Sequence, residues 1–240
     1  MGGPRRGAVL TFRSVLAVAT TLVIGLMVVS APAGANSRAP KVASASASYS
    51  DGDVVGDWRV VFAGYGEVLF GGTGPAASVT LNPATATSPG ETHAALVVSR
   101  DSKPASARYS ARVTTVQQLR ANSAPNAWET GWLVFNYTDN AHFYYLALKT
   151  NGWELGKRDP TYPGGQRFLA TGARPAATIG TANKLLVKTS GNTIRVTIDG
   201  RSVARYTDSE RPYLGGSFGM YAEDSRVVFD RISTSAVTAP

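Results

Sequence analysis

From residue 58 to residue 232 the apolar positions come in short runs with the two-residue period of strands. Fourteen such runs, rich in Val, Thr, Tyr, Phe and Trp, are separated by Gly, Pro, Asn and Asp. No stretch sustains a helical apolar stripe for three turns. Closely spaced strands with turn signals between them predict an all-β domain, a sandwich or a barrel, over residues 51–236. No internal repeat and no second linker divides it.

Two hairpins can be set in register. Asn151-Gly152 is a strong two-residue turn signal, because both residues tolerate positive φ. A turn there pairs Lys149 with Glu154 and Leu148 with Leu155. Side-chain alternation then puts Tyr144, Leu146, Leu148, Trp153 and Leu155 on an apolar core face. Phe143, Tyr145, Lys149, Glu154 and Arg158 fall on the opposite, outward face. The second hairpin turns at Gly191-Asn192 and sets Thr189 against Ile194, Val187 against Val196 and Leu185 against Ile198. Its other face, with Lys184, Lys188 and Arg195, reads as plain solvated surface.

The pattern changes at both sides of residue 36. Arg5, Arg6 and Arg13 precede an apolar run at 14–30, and Ala33-Gly34-Ala35 fits small-x-small cleavage. Residues 1–35 therefore read as a signal peptide, which makes the protein secreted and leaves it no stable membrane anchor. Residues 36–50, rich in Ser and Ala, read as a flexible linker. The chain has no cysteine, which excludes disulfides, thiolate metal sites and cysteine nucleophiles. Of 24 Lys and Arg, three leave with the leader, so 21 face 16 acidic residues and the net charge falls from +8 to +5. These cations form no block in the sequence, which argues against nucleic acid as a partner. A basic face suits an acidic polysaccharide or an anionic cell wall.

The order Leu185-Leu-Val-Lys188, Gly191-Asn-Thr-Ile-Arg-Val-Thr-Ile-Asp-Gly200, Gly215-Gly-Ser-Phe-Gly-Met-Tyr221 and Val227-Val-Phe-Asp-Arg-Ile232 resembles the C-terminal half of concanavalin A-like lectin/glucanase domains. Laminin G-like modules and family 16-like glycoside hydrolase domains of unknown function share it. Gly131-Trp-Leu-Val-Phe-Asn-Tyr-Thr-Asp139 and Phe143-Tyr-Tyr-Leu146 fit the same group. The resemblance implies a jelly-roll β-sandwich of two antiparallel sheets. It implies function only broadly, since such folds host lectins, hydrolases, lyases and interaction modules. It also implies that Asp230, in the last strand, helps bind a structural calcium with Asp57 or Glu67. The competing reading is an ion pair with Arg59 or Arg231.

Aromatic faces stack on the C–H faces of pyranose rings, and neighbouring polar groups bond the hydroxyls. Trp128, Tyr137, Tyr145, Lys149, Glu154, Arg158, Tyr162, Gln166 and Arg167 are accordingly the candidate ligand-binding residues, with the loop from 158 to 167 as a wall. Trp153 and Trp132 read as core. The expected function is a secreted, monomeric carbohydrate-binding domain that acts on an extracellular or cell-wall polysaccharide and requires no cofactor. The rivals are a polysaccharide lyase or glycoside hydrolase, and a non-catalytic envelope or adhesion module. Glycoside hydrolysis needs two carboxyl groups, about 5 Å apart for retention. The Glu-x-Asp-x-x-Glu motif of family 16 is absent, and the adjacent Glu223 and Asp224 would point to opposite faces of a strand. Glu129 and Glu154 could converge from neighbouring strands. A lyase needs a base, an acid and a carboxylate-neutralising group. His142, Tyr144, Glu154 and Arg167 are the candidate catalytic residues.

Overall fold

A computed structural model describes residues 47–74 and 77–237. The expected signal peptide, residues 36–46 of the expected linker, and Ala76, at the start of an expected strand, lie outside these. The strands are β1 (Ser48–Tyr49), β2 (Val54–Val55), β3 (Trp58–Phe62), β4 (Glu67–Gly71), β5 (Ser78–Asn82), β6 (Ala94–Lys103), β7 (Ala107–Gln118) and β8 (Gly131–Asp139). Then follow β9 (His142–Lys149), β10 (Gly152–Arg158), β11 (Gln166–Gly172), β12 (Ala182–Ser190), β13 (Thr193–Ile198), β14 (Arg201–Thr207), β15 (Gly216–Glu223) and β16 (Ser225–Ala236). They form two antiparallel eight-stranded sheets. The first runs β1-β4-β5-β16-β7-β12-β13-β14, and the second β11-β10-β9-β8-β15-β6-β3-β2. Of the sandwich and the barrel that the alternation allows, this is the sandwich, as the resemblance implies.

The core lies between the sheets. Tyr109, Val187, Val196 and Phe229 reach it from the first sheet, and Phe135, Leu146, Leu155 and Phe218 from the second; all are buried. The sheets differ on their outer faces. In β12 and β13 buried and exposed residues alternate, as in a sheet with one wet face. In β8 and β9 burial is nearly continuous, because a second apolar cluster covers the outer face. Val134, Tyr145 and Ala147 belong to it, with Trp132 and Tyr221 packed against them.

The Gly191-Asn192 hairpin has the expected register. The other slips. Gly152 pairs with Lys149 and Glu154 with Ala147, so the turn is Thr150-Asn151. Gly152 is needed in the ladder instead, since a Cβ there would collide with the Gly172 carbonyl on β11. Parity survives, because the pairing moves by an even number of residues and each side chain keeps its face. The linker reading also ends early, for Ser48 and Tyr49 pair with Leu69 and Val68.

Beyond β14, residues 208–215 cross from the first sheet to the second and are held by Lys157. This lysine points inward from β10 and, like Asp208, is fully buried. Its ammonium donates to Asp208 Oδ2 at 2.7 Å and to the carbonyls of Glu210 and Arg211 at 2.8 and 2.6 Å. All three protons of the buried charge are thereby used.

Candidate functional site

The outer face of the second sheet carries the candidate site. Register aligns Glu154, Ala147, Trp132, Tyr221, Leu96 and Phe62 in one row across β10, β9, β8, β15, β6 and β3. Trp132 lies between Tyr145 and Tyr221, its ring centroid 4.8 Å from each. Two adjoining hollows open on this row. One, of about 240 Å3, is lined by Trp132, Asn140, Phe143, Arg158, Gln166 and Glu223, among others. The second, of about 460 Å3, has Trp132, Lys149, Glu154, Gln166 and Glu223 around it, with Trp128 and Phe168 as its exposed aromatic walls. Trp132, Gln166 and Glu223 belong to both, so the hollows make one groove.

Gly156 shapes the groove. It sits beside Tyr145 in the ladder, and a Cβ on it would collide with the tyrosine ring. Without one, the ring lies across β10. Its hydroxyl donates to Glu154 Oε1 at 2.6 Å and accepts from Gln166 Nε2 at 2.5 Å. Burial, and then the Glu154 acceptor, push this phenol well above its ordinary range. Lys149 Nζ donates to the other Glu154 oxygen at 2.9 Å. At the opposite side Glu223 accepts from Trp128 Nε1 at 3.1 Å and Tyr221 Oη at 2.7 Å. Burial raises the Glu223 carboxyl above its usual range, and these two hydrogen bonds only partly offset it. The Trp128 wall is thus clipped in place by a carboxyl group that itself faces the groove.

The expected residues divide. Trp128, Tyr145, Lys149, Glu154, Arg158 and Gln166 line the groove. Tyr137 belongs to the apolar cluster beneath it, its hydroxyl bonded to Asn140. Arg167 does not face the groove. The segment from Gln166 is a strand and not a loop wall, and Arg167 pairs with Lys157 in register, which turns it inward to Glu210 at 2.8 Å. Tyr162 lies outside both hollows, with the Arg167 guanidinium 5.9 Å from its ring. The four candidate catalytic residues are not brought together. Tyr144 is in the core and bonded to Asp208, His142 pairs with Asp139 at the β8–β9 turn, and only Glu154 reaches the groove. Glu129 does not converge with it; it is buried and paired with Arg120.

Asp230 gives both oxygens to Arg112, at 2.7 and 3.0 Å. Its ion-pair partner is thus Arg112, its cross-strand neighbour on β7, and not Arg59 or Arg231. Among the described residues no three acidic or histidine groups gather as metal ligands. A guanidinium against this carboxylate does not fit the expected calcium.

Trp132, Tyr221, Glu223 and Phe168 were not anticipated. The sequence reads Trp132 as core, yet it belongs to the outer row. The available signal is the pair of continuous apolar runs, Trp132–Phe135 in β8 and Phe143–Leu148 in β9, which mark strands covered on both faces. For Glu223 the opposed directions of Glu223 and Asp224 were readable. That one of them enters the groove depends on the pairing of β15 with β8.

No protein-family model matches this chain, and no curated protein matches it. Solved structures do. The chain is similar to the carbohydrate binding module CBM66 from Bacillus subtilis, with 15% identity over 75% of this chain and 96% of that one, at a TM-score of 0.54. It is similar to a protein of unknown function with a galectin-like fold, also from Bacillus subtilis (11% identity, 78% and 92% coverage, TM-score 0.52). The exoplasmic/lumenal domain of VIP36 in its Ca2+/Man3GlcNAc-bound form gives 12% identity, 77% and 85% coverage and a TM-score of 0.53. At such identities the likeness is one of fold alone, a jelly-roll β-sandwich of two antiparallel sheets.

Proposed function

We propose that the protein is a secreted carbohydrate-binding domain, that its site is the groove on the outer face of the second sheet, and that its ligand is an extracellular or cell-wall polysaccharide. The observation that carries this reading is the pair of exposed aromatic walls, Trp128 and Phe168, on a hollow edged by Lys149, Glu154, Gln166 and Glu223. Apolar walls with a few convergent polar groups are the usual build of a ligand site. Here the walls suit pyranose faces and the polar groups suit hydroxyls. Two proteins of the same fold, CBM66 and VIP36, are respectively a carbohydrate binding module and a domain solved with Man3GlcNAc. The leader-like residues 1–35 support export.

Calorimetry against a polysaccharide panel tests the proposal. Trp128→Ala and Phe168→Ala should each weaken binding about tenfold, a loss of ~1.4 kcal/mol, and leave the melting temperature nearly unchanged. Unaltered affinity in both, or no glycan bound by the wild type, overturns it. One observation favours hydrolysis as a second reading: Glu154 and Glu223 line one hollow, and Glu223 is biased towards its protonated form, as a general acid must be. New reducing ends that vanish in Glu223→Gln would establish that reading.

A further inference from the structure

The opposite face of the sandwich carries a different arrangement. We propose that the outer face of the first sheet is a second binding site, for an anionic polysaccharide with carboxylate or sulfate groups along its length. Register sets Arg108, Lys188, Arg195 and Arg205 side by side on β7, β12, β13 and β14. Like charges directly opposite each other destabilise a sheet, and this row has three such contacts in succession. Among the described residues none of the four has an acidic partner at ion-pair distance. Lys188, Arg195 and Arg205 are exposed. An uncompensated row of this kind is complementary to negative charge from outside.

The row leads into a hollow of about 390 Å3 lined by Arg108, Arg112, Lys184 and Arg231, with the hydroxyl-bearing Ser110 and Ser233. A bulge in β16 builds it. Between the pairs Asp230–Arg112 and Ser233–Ser110, β16 has two residues where β7 has one. Arg231 there takes a φ of 49°. The extra residue lets Ile232 pack on the core while Arg231 stays exposed. Of the carboxylates near it, Asp230 is taken by Arg112, and Asp199 accepts from the Lys184 backbone amide and from Asn183.

Strand spacing puts successive cations ~4.8 Å apart, a repeat comparable to one sugar of an extended chain. Guanidinium forks match carboxylate and sulfate oxygens in pairs. Single-stranded nucleic acid would want aromatic platforms, and membrane insertion would want exposed apolar side chains. The large exposed apolar residues of the described chain lie outside this row.

Heparin and polygalacturonate are the probes, with dextran, single-stranded DNA and phosphatidylserine vesicles as comparisons. The mature protein should bind at least one acidic glycan at low ionic strength, ignore dextran at this face, and lose affinity steeply as salt rises. The triple variant Lys188→Gln/Arg195→Gln/Arg205→Gln should bind about tenfold or more weakly, with a shallower salt slope. The single Arg195→Gln should give a smaller loss. Trp128→Ala and Phe168→Ala should leave this binding intact, which separates it from the groove. Wild-type affinity in the triple variant, tighter binding to DNA or vesicles than to either glycan, or no binding to either acidic glycan overturns the proposal.

Discussion

Gly156 and Tyr145 show how one missing side chain builds a site. The tyrosine ring occupies the place a Cβ would take, and from there its hydroxyl joins Glu154 to Gln166. Gly156→Ala should lift the ring, lower stability by ~1–3 kcal/mol and weaken glycan binding; chemical denaturation and calorimetry measure the two effects. Glu223 gives a test by pH. Its folded-state carboxyl titrates above the ordinary value of 4.5, mainly because of burial. The stability it contributes is therefore full below that value and lost as pH rises through the raised one. Glu223→Gln mimics the protonated form. Its melting temperature should match the wild type in acid and exceed it by a growing margin as pH climbs, until a plateau. A margin that is constant with pH would contradict the shift. At this scale Lys149, Glu154 and Arg158 were legible, because charge on the face opposite an apolar one is a local pattern. Tyr221 was not, since nothing local to it names its neighbour Trp132.

Elements were more legible than residues. The 191–192 hairpin can be registered from its Gly-Asn turn and its alternation together. The β9–β10 turn lies one residue before the Asn-Gly signal, because Gly152 answers to β11, a strand the turn signal does not include. The row across β7, β12, β13 and β14 yields a prediction of its own. The Debye length falls from ~30 Å at 0.01 M salt to ~8 Å at 0.15 M. Screening should ease repulsion among Arg108, Lys188, Arg195 and Arg205, so the wild-type melting temperature should rise over that range. In the triple glutamine variant the rise should be smaller. Calorimetric scans at matched pH make the comparison. From sequence these cations looked like ordinary surface, since alternation assigns Lys188 and Arg195 to solvent but does not set them in one line.

For the whole molecule, the all-β class follows from strand period and turn residues and the choice of a sandwich over a barrel from the resemblance, while its two-sidedness follows from pairings distant in sequence. One sheet turns an aromatic groove outward and the other a cationic face. Lys157 ties the far side of this arrangement together, and its contacts have a kinetic meaning. Residues 208–215 form no strand, and amides in such a segment usually exchange with solvent quickly through local opening. Here the Tyr213 amide donates to the Tyr144 hydroxyl and the Glu210 amide to Asp208, both beneath the buried ammonium. The segment should open only when Lys157 is released into water. Deuterium uptake at Glu210 and Tyr213 should therefore be as slow as at β10. In Lys157→Met, which removes the closer cation from buried Asp208 and leaves it Arg167 at 3.7 Å, a cost of up to ~3–5 kcal/mol, it should become fast.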